Sequence, residues 1–208
     1  MIRLMQIGII IFACTSMAVA QSDVYRKYEF FAGYSYKLIS HGIGDNRIVD
    51  DPEEFRGFNT SITRNVSRYV GVKFDFSGHF NNRTIPFGPS GTGIDFDSHV
   101  YNFTGGVQVK DSSSETTFKP FLHALLGAAH VRNRVNIRNE VCVAIFPSPC
   151  PADFTERETG VAGIFGGGID VRVSDRIDIR IVQFDYNPTR VFDTMQPNLR
   201  LGVGVVFH

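Results

Sequence analysis

The stretch from Gly160 to Tyr186 alternates between apolar and polar or small side chains with a period of two residues, which is the period of a β-strand. Only residues 174–176 separate its two halves, and so short a connection joins strands as an antiparallel hairpin. The alternation changes phase near Ile181 and Val182, which predicts a β-bulge. We therefore expect two long antiparallel strands, each with one apolar face and one polar face.

The length of these strands indicates the environment of the two faces. A tilted strand needs about 9 to 11 residues to cross a bilayer, whereas strands of soluble proteins are usually about 5 to 6 residues long. The two predicted strands are in the longer class. We interpret the apolar face as facing lipid and the polar face as lining the interior of a barrel.

The same alternation recurs along the rest of the chain. It predicts six further strands, at 28–38, 55–64, 69–80, 98–110, 118–131 and 197–208. Short turns (65–68, 111–117, 174–176) alternate with long loops (39–54, 81–97, 132–158, 187–196). Short periplasmic turns and long external loops are typical of bacterial outer-membrane barrels. The predicted fold is all-β: residues 21–208 form a single eight-stranded antiparallel up-and-down transmembrane β-barrel.

Residues 1–20 are predicted to be a signal peptide. Arg3 is its basic residue, 4–13 its apolar segment, and Ala18 and Ala20 the small residues before the cleavage site. A lipidated Cys14 is the alternative, but it would leave a very short apolar segment. No later apolar run approaches the roughly 20 residues of a membrane helix. An exported chain of this kind crosses a membrane only with strands closed into a ring, so we expect the outer membrane as its location.

Several segments carry a family resemblance. They are YEFFAGYSY at 28–36, GFN at 57–59, GVKFDFSG at 71–78, KPF at 119–121, and the strands 180–186 and 198–207. Together they resemble the OmpA-like or opacity-like eight-stranded outer-membrane β-barrel proteins. The resemblance implies outer-membrane lipid and the barrel-assembly machinery as partners. It also implies that a terminal aromatic residue is read by that machinery, and Phe207 is the residue in that place.

Ten charged residues fall on the polar faces and are predicted to line the lumen: Glu29, Lys37, Lys73, Asp75, Asp170, Arg172, Asp178, Arg180, Asp185 and Arg200. Their signs are mixed, and the interior of an eight-stranded barrel is just wide enough to be filled by side chains. We therefore expect a plugged polar interior. A narrow pore for ions or small solutes is the alternative.

Cys142 and Cys150 lie in the loop 132–158 and are predicted to form a disulfide, because exported proteins fold in an oxidising compartment. Free thiols and a metal site are the alternatives. The enclosed segment 143–147 is apolar and would either serve as a contact surface or pack on its neighbours. This loop is the predicted contact region for an extracellular target, and the protein is expected to act structurally or in surface interaction.

Other functional classes receive less support. The chain has 21 basic and 21 acidic residues, so nucleic acid is not an expected partner. Catalysis by a nucleophile needs Ser, His and an acid within reach of one another, and no spacing selects such a set around His41, His79, His99, His123 or His130. We predict no catalytic, metal-binding or cofactor-binding residue and no cofactor. A soluble exported barrel that binds a small apolar ligand is a further alternative, opposed by strand length and loop asymmetry.

Overall fold

The computed structural model describes residues 25–39, 53–86, 93–113, 115–137, 153–191 and 193–208. Several predicted features lie outside these ranges, namely the signal peptide, His41, Cys142, Cys150 and the segment 143–147 between the cysteines. Within the described ranges, no helix is long and apolar enough to cross a membrane.

The described residues contain ten β-strands. They are β1 (Tyr28–Ile39), β2 (Glu53–Asn65), β3 (Val70–Pro86), β4 (Gly93–Lys110), β5 (Phe118–Ile137), β6 (Asp153–Arg172), β7 (Ile177–Tyr186), β8 (Thr189–Val191), β9 (Thr194–Gln196) and β10 (Asn198–Phe207). Eight of them, β1 to β7 and β10, pair in sequence as an antiparallel sheet. Pairing of β1 with β10 completes the ring, from Phe30 opposite Phe207 to Ile39 opposite Asn198. The predicted eight-stranded antiparallel barrel is confirmed.

All four predicted long loops were too long, the loop 39–54 by only a few residues, since β1 ends at Ile39 and β2 begins at Glu53. Strand β3 continues to Pro86 and β4 begins at Gly93, within the predicted loop 81–97. Strand β5 continues to Ile137 and β6 begins at Asp153, within the predicted loop 132–158. The predicted loop 187–196 contains the small hairpin β8–β9, which pairs with β6 through Val161 and Arg190. Residues 81–84 of β3 and 155–159 of β6 are polar at every position, so the period-two signal that marks a strand is lost there.

The predicted bulge is confirmed on β7. Ile169 pairs with Val182 and Asp170 pairs with Arg180, so Ile181 has no partner on β6. Ile181 and Val182 both face outward, with 51% and 41% exposure. The extra residue also turns both Arg180 and Gln183 inward, where Nη1 of Arg180 donates a hydrogen bond to Oε1 of Gln183 at 2.7 Å.

The outer surface of the ring is apolar and the interior is polar. Every barrel strand exposes large apolar side chains, for example Phe30, Ile62, Phe74, Phe103, Leu122, Val161, Phe184 and Leu201. Leu122 and Leu126 reach 68% and 65% exposure. An apolar band that surrounds a closed ring is the surface expected against lipid. The soluble alternative required the opposite orientation of the two faces, and in this respect it was wrong.

Candidate functional site

The lumen of the barrel is the largest concentration of buried polar groups in the described residues. Nine of the ten charges predicted to line it are at most 3% exposed: Glu29, Lys37, Lys73, Asp75, Asp170, Asp178, Arg180, Asp185 and Arg200. The tenth, Arg172, is the last residue of β6 and lies at the short-turn rim. Its side chain is 27% exposed because it lies at the end of the barrel, where water reaches it. It forms an ion pair with Asp175 of the short turn.

Arg200 occupies the centre of the network. Its Nη1 donates to Oδ1 of Asp75 at 3.0 Å, and its Nη2 donates to Oδ2 of Asp185 at 2.7 Å. Asn59 donates to the second oxygen of Asp75 at 2.8 Å. Nε2 of His123 lies 2.8 Å from Oδ1 of Asp185. The guanidinium is therefore shared between two carboxylates, each of which has a further polar partner.

Arg180 is held both by a carboxylate and by aromatic rings. Its Nε and Nη2 donate to the two oxygens of Asp170 at 2.7 and 3.0 Å. Its guanidinium carbon lies 4.2 Å from the ring centre of Phe31 and 4.0 Å from that of Phe121, within the range of cation–π attraction. Gly168 leaves room for this arrangement, since a Cβ there would lie 2.9 Å from the ring of Phe121.

A second group of ion pairs lies toward the short turns. Nζ of Lys110 donates to Glu29 and to Asp170, each at 2.8 Å, and Nζ of Lys119 donates to Asp178 at 2.9 Å. Lys110 and Lys119 were not among the predicted lumen charges, and neither were His79 and His123. Lys110 is the last residue on the polar face of β4, so the alternation in the sequence was sufficient to predict its inward position. His123 shares its face with Phe121 and Leu125, which obscured the pattern.

An apolar layer occupies the long-loop end of the lumen. It consists of five buried side chains from five strands: Ile39, Phe55, Val100, Val131 and Val191. Val191 belongs to β8, so the small hairpin completes the layer. Sequence reasoning assigned the inner faces to polar residues and did not find it.

Between this layer and Arg200 lies a small polar group that includes Ser35, Lys37 and His79. Oγ of Ser35 and Nε2 of His79 are 2.8 Å apart, and both side chains are fully buried. No described residue forms a hydrogen bond with Nδ1 of His79 or with Nζ of Lys37. Within the described ranges, Ser35 and His79 therefore have no third, acidic group of the kind that completes a catalytic triad. In the described part of the chain, no cluster of three or more His, Cys, Asp or Glu side chains is placed to hold a metal ion.

Outside the membrane-spanning strands, Asp111 joins two short turns. Arg68 donates to both of its carboxylate oxygens, Nε to Oδ1 at 3.0 Å and Nη2 to Oδ2 at 3.3 Å. The backbone N–H of Ser113 and the hydroxyl of Thr116 donate to the same carboxylate, each at 3.1 Å. The hydrogen bond from Arg68, followed by those from Ser113 and Thr116, lowers the pKa of Asp111 well below its ordinary value.

The predicted assembly residue, Phe207, ends β10 and faces outward with 46% exposure. It pairs with Phe30 on one side and with Ile177 on the other. The next residue, His208, turns inward, and its Nε2 lies 2.9 Å from Oδ2 of Asp178.

The fold is similar to the solved structures of two proteins. One is Ail, the attachment invasion locus protein of Yersinia pestis, in complex with the heparin analogue sucrose octasulfate: identity is 18%, 86% of this chain and 97% of Ail are covered, and the TM-score is 0.54. A second crystal structure of Ail gives the same identity and coverage with a TM-score of 0.53. The other is Neisserial surface protein A: identity is 13%, 89% of this chain and 99% of that protein are covered, and the TM-score is 0.52.

Ail and the Neisserial protein are eight-stranded outer-membrane barrels, so the resemblance stated from the sequence is confirmed for the fold. No protein-family model and no curated protein matches the sequence.

Proposed function

We propose that this chain, which has the fold of an eight-stranded outer-membrane β-barrel protein, lies in the bacterial outer membrane with a closed lumen and acts at the cell surface. The observation that carries the proposal is the combination of a closed ring, an apolar outer belt and an interior of buried ion pairs. Hydrocarbon offers no partners for backbone N–H and C=O groups, so a sheet spans a membrane only when no edge remains.

Two layers in series support a closed lumen. The first is the ion-pair network in which Arg200 is bound to two carboxylates and Arg180 to one, both guanidinium groups being almost completely buried in the interior. The second is the apolar layer around Phe55 at the long-loop end. A hydrated ion would have to displace side chains in both layers. A narrow pore is therefore the weaker candidate.

The long-loop side is the proposed contact region. Strands β3–β4 and β5–β6 continue past the apolar belt, so the described ends of these two hairpins project beyond the membrane surface. The loop between β5 and β6 is the one predicted to contain the disulfide between Cys142 and Cys150. Ail was solved with a heparin analogue, which supports testing a sulfated polysaccharide as a ligand of this region.

We propose no catalytic role. The Ser35–His79 pair is fully buried within the barrel, and in the described residues no acid reaches the second nitrogen of His79. Export through the signal peptide 1–20 and recognition of Phe207 by the barrel-assembly machinery are parts of the proposal. Phe207 faces outward on β10, between β1 and β7, and this position supports its recognition by the assembly machinery.

The test is folding of residues 21–208 with and without detergent. We expect a β-rich species by circular dichroism that forms only with detergent or lipid and that migrates faster on a gel when it is not boiled. In planar bilayers, the folded protein should show no steady conductance. A chain that folds in plain buffer without a mobility shift would overturn the membrane assignment, and a steady ionic current would overturn the closed lumen.

A further inference from the structure

One row of outward-facing side chains on neighbouring strands is unusually basic. Cross-strand pairing places Phe80 of β3 opposite His99 of β4, His99 opposite Arg132 of β5, and Arg132 opposite Arg157 of β6. The outward orientation of Arg132 follows from its neighbour Val131, which is buried in the lumen. The rings of Phe80 and His99 contact edge to face, with centroids 5.2 Å apart.

The central pair of this row, Arg132 and Arg157, consists of like charges directly opposite each other. Such pairs destabilise a sheet. In the described part of the chain, no ion pair or hydrogen bond engages the side chain of either arginine. The nearest acidic residues lie elsewhere. Asp97 is opposite Arg134, one outward row further from the membrane, and Glu158 is on the inner face of β6, opposite Val131. Among the described residues no carboxylate forms an ion pair with either arginine, so the two side chains together are a concentration of positive charge.

The position of Arg132 and Arg157 relative to the apolar belt indicates which negatively charged group could neutralise them. The next row toward the membrane contains Tyr101, His130 and Thr159, with Nδ1 of His130 2.8 Å from the hydroxyl of Thr159. Two residues further along β4, Phe103 is 57% exposed and belongs to the apolar belt. The arginines thus lie just beyond the belt on the long-loop side, at the level where lipid headgroups meet water.

We propose that Arg132 and Arg157 together bind the phosphate group of an anionic glycolipid in the outer leaflet. Guanidinium groups bind phosphate oxygens in pairs of parallel hydrogen bonds, and two facing arginines present such donors from both sides. Basic side chains at a membrane surface are attracted to anionic headgroups. The hydroxyl of Thr159 and the ring of His130 line the membrane-facing side of the site. This inference rests on the proposed membrane location.

The test compares full-length mature protein folded in neutral detergent with the double variant Arg132→Gln/Arg157→Gln. The matched control is Arg64→Gln, which removes an exposed, outward arginine at the short-turn end of β2. The readout is the temperature at which half of the fast-migrating folded band is lost. Each protein is measured alone, with diphosphorylated lipid A, with the dephosphorylated lipid, and with inorganic phosphate.

We expect diphosphorylated lipid A to raise the midpoint of the wild type and of Arg64→Gln, and the rise to be at least halved in the double variant. Without lipid, the double variant should be no less stable than the wild type, because the repulsion between the arginines is gone. Equal rises in all three proteins, or an equal rise with the dephosphorylated lipid, would overturn the site. An equal rise with inorganic phosphate would overturn its assignment to a lipid. A protein that has no detergent-dependent folded band at all would overturn the membrane location itself.

Discussion

Arg200 on β10 and Asp75 on β3 are joined by a hydrogen bond of 3.0 Å, although β10 and β3 are three strands apart around the ring. Their side chains meet inside the barrel, where both are almost completely buried. A contact of this kind ties distant strands together through the lumen, in addition to the ladder of backbone hydrogen bonds around its wall.

Replacement of Arg200 by Met is predicted to destabilise the barrel strongly. The change leaves Asp75 and Asp185 buried without their shared partner, and loss of one member of a buried ion pair typically costs about 3 to 5 kcal/mol. Urea unfolding in lipid vesicles, followed by the gel shift, measures the change. Arg64→Met is the control, since Arg64 is exposed at the short-turn end. Equal unfolding midpoints for the two variants would contradict a structural role for Arg200.

Phe121 is predicted to stabilise Arg180 through its ring face. Phe121→Leu keeps an apolar side chain but removes the cation–π contact at 4.0 Å, and a desolvated contact of this type contributes about 2 kcal/mol. The comparison is a double-mutant cycle with Arg180→Lys, which keeps the charge and loses the paired hydrogen bonds to Asp170. Additive effects of the two changes would show that ring and guanidinium do not interact.

The apolar layer and the ion-pair network are two barriers in series, so we predict that a pore opens only when both are removed. Phe55→Ala alone thins the apolar layer, and Arg200→Ala alone breaks the central ion pairs, but each leaves the other layer in place. We expect single-channel openings in planar bilayers only for the combined variant. Conductance of either single variant equal to that of the combined one would mean that one layer does not seal the lumen. The gel shift checks that each variant is folded.

The pH dependence of the short turns is predicted from Asp111. Its pKa is lowered in the folded protein by the hydrogen bond from Arg68, so its contribution to stability is present above the pKa of the unfolded chain. Relative to the wild type, Asp111→Asn should lose about 1 kcal/mol or less at pH 7, as expected for a partly exposed ion pair. The difference should shrink as pH falls below about 4, the ordinary pKa of Asp. Unfolding series at several pH values measure it, and a difference that grows in acid would contradict the assignment.

Cys142 and Cys150 are predicted to be joined by a disulfide in the exported protein. The chain has three cysteines, and cleavage after Ala20 removes Cys14. Intact mass of protein purified from membranes should therefore be lower by two hydrogens than after reduction, with no thiol available to alkylation before reduction. Reduction should leave the gel shift intact, because the described barrel contains neither cysteine. Two alkylated thiols in the untreated protein would contradict the prediction.

Strand content and the orientation of the faces could be predicted from the sequence because both depend on local alternation. The change of phase at Ile181 and Val182 predicted the bulge, which the pairing of β7 with β6 confirms. The inner position of Asp170 follows from the period of two residues along β6, and Arg180 and Asp185 both face inward because the bulge lies between them. The extensions of β3 and β6 beyond the belt could not be found in this way, since residues 81–84 and 155–159 are polar at every position.

The partners inside the lumen were decided only by the closed ring. Alternation placed Arg200 and Asp75 on inner faces, but which inward side chains meet depends on how far each strand is shifted against the next when the ring closes. That shift is a property of all eight strands together. For the same reason, Val191 of the small hairpin and Phe55 of β2 belong to one apolar layer, and Arg180 lies between two rings from distant strands. The sequence alone thus determined which face each residue occupies, and the tertiary structure decided what it contacts there.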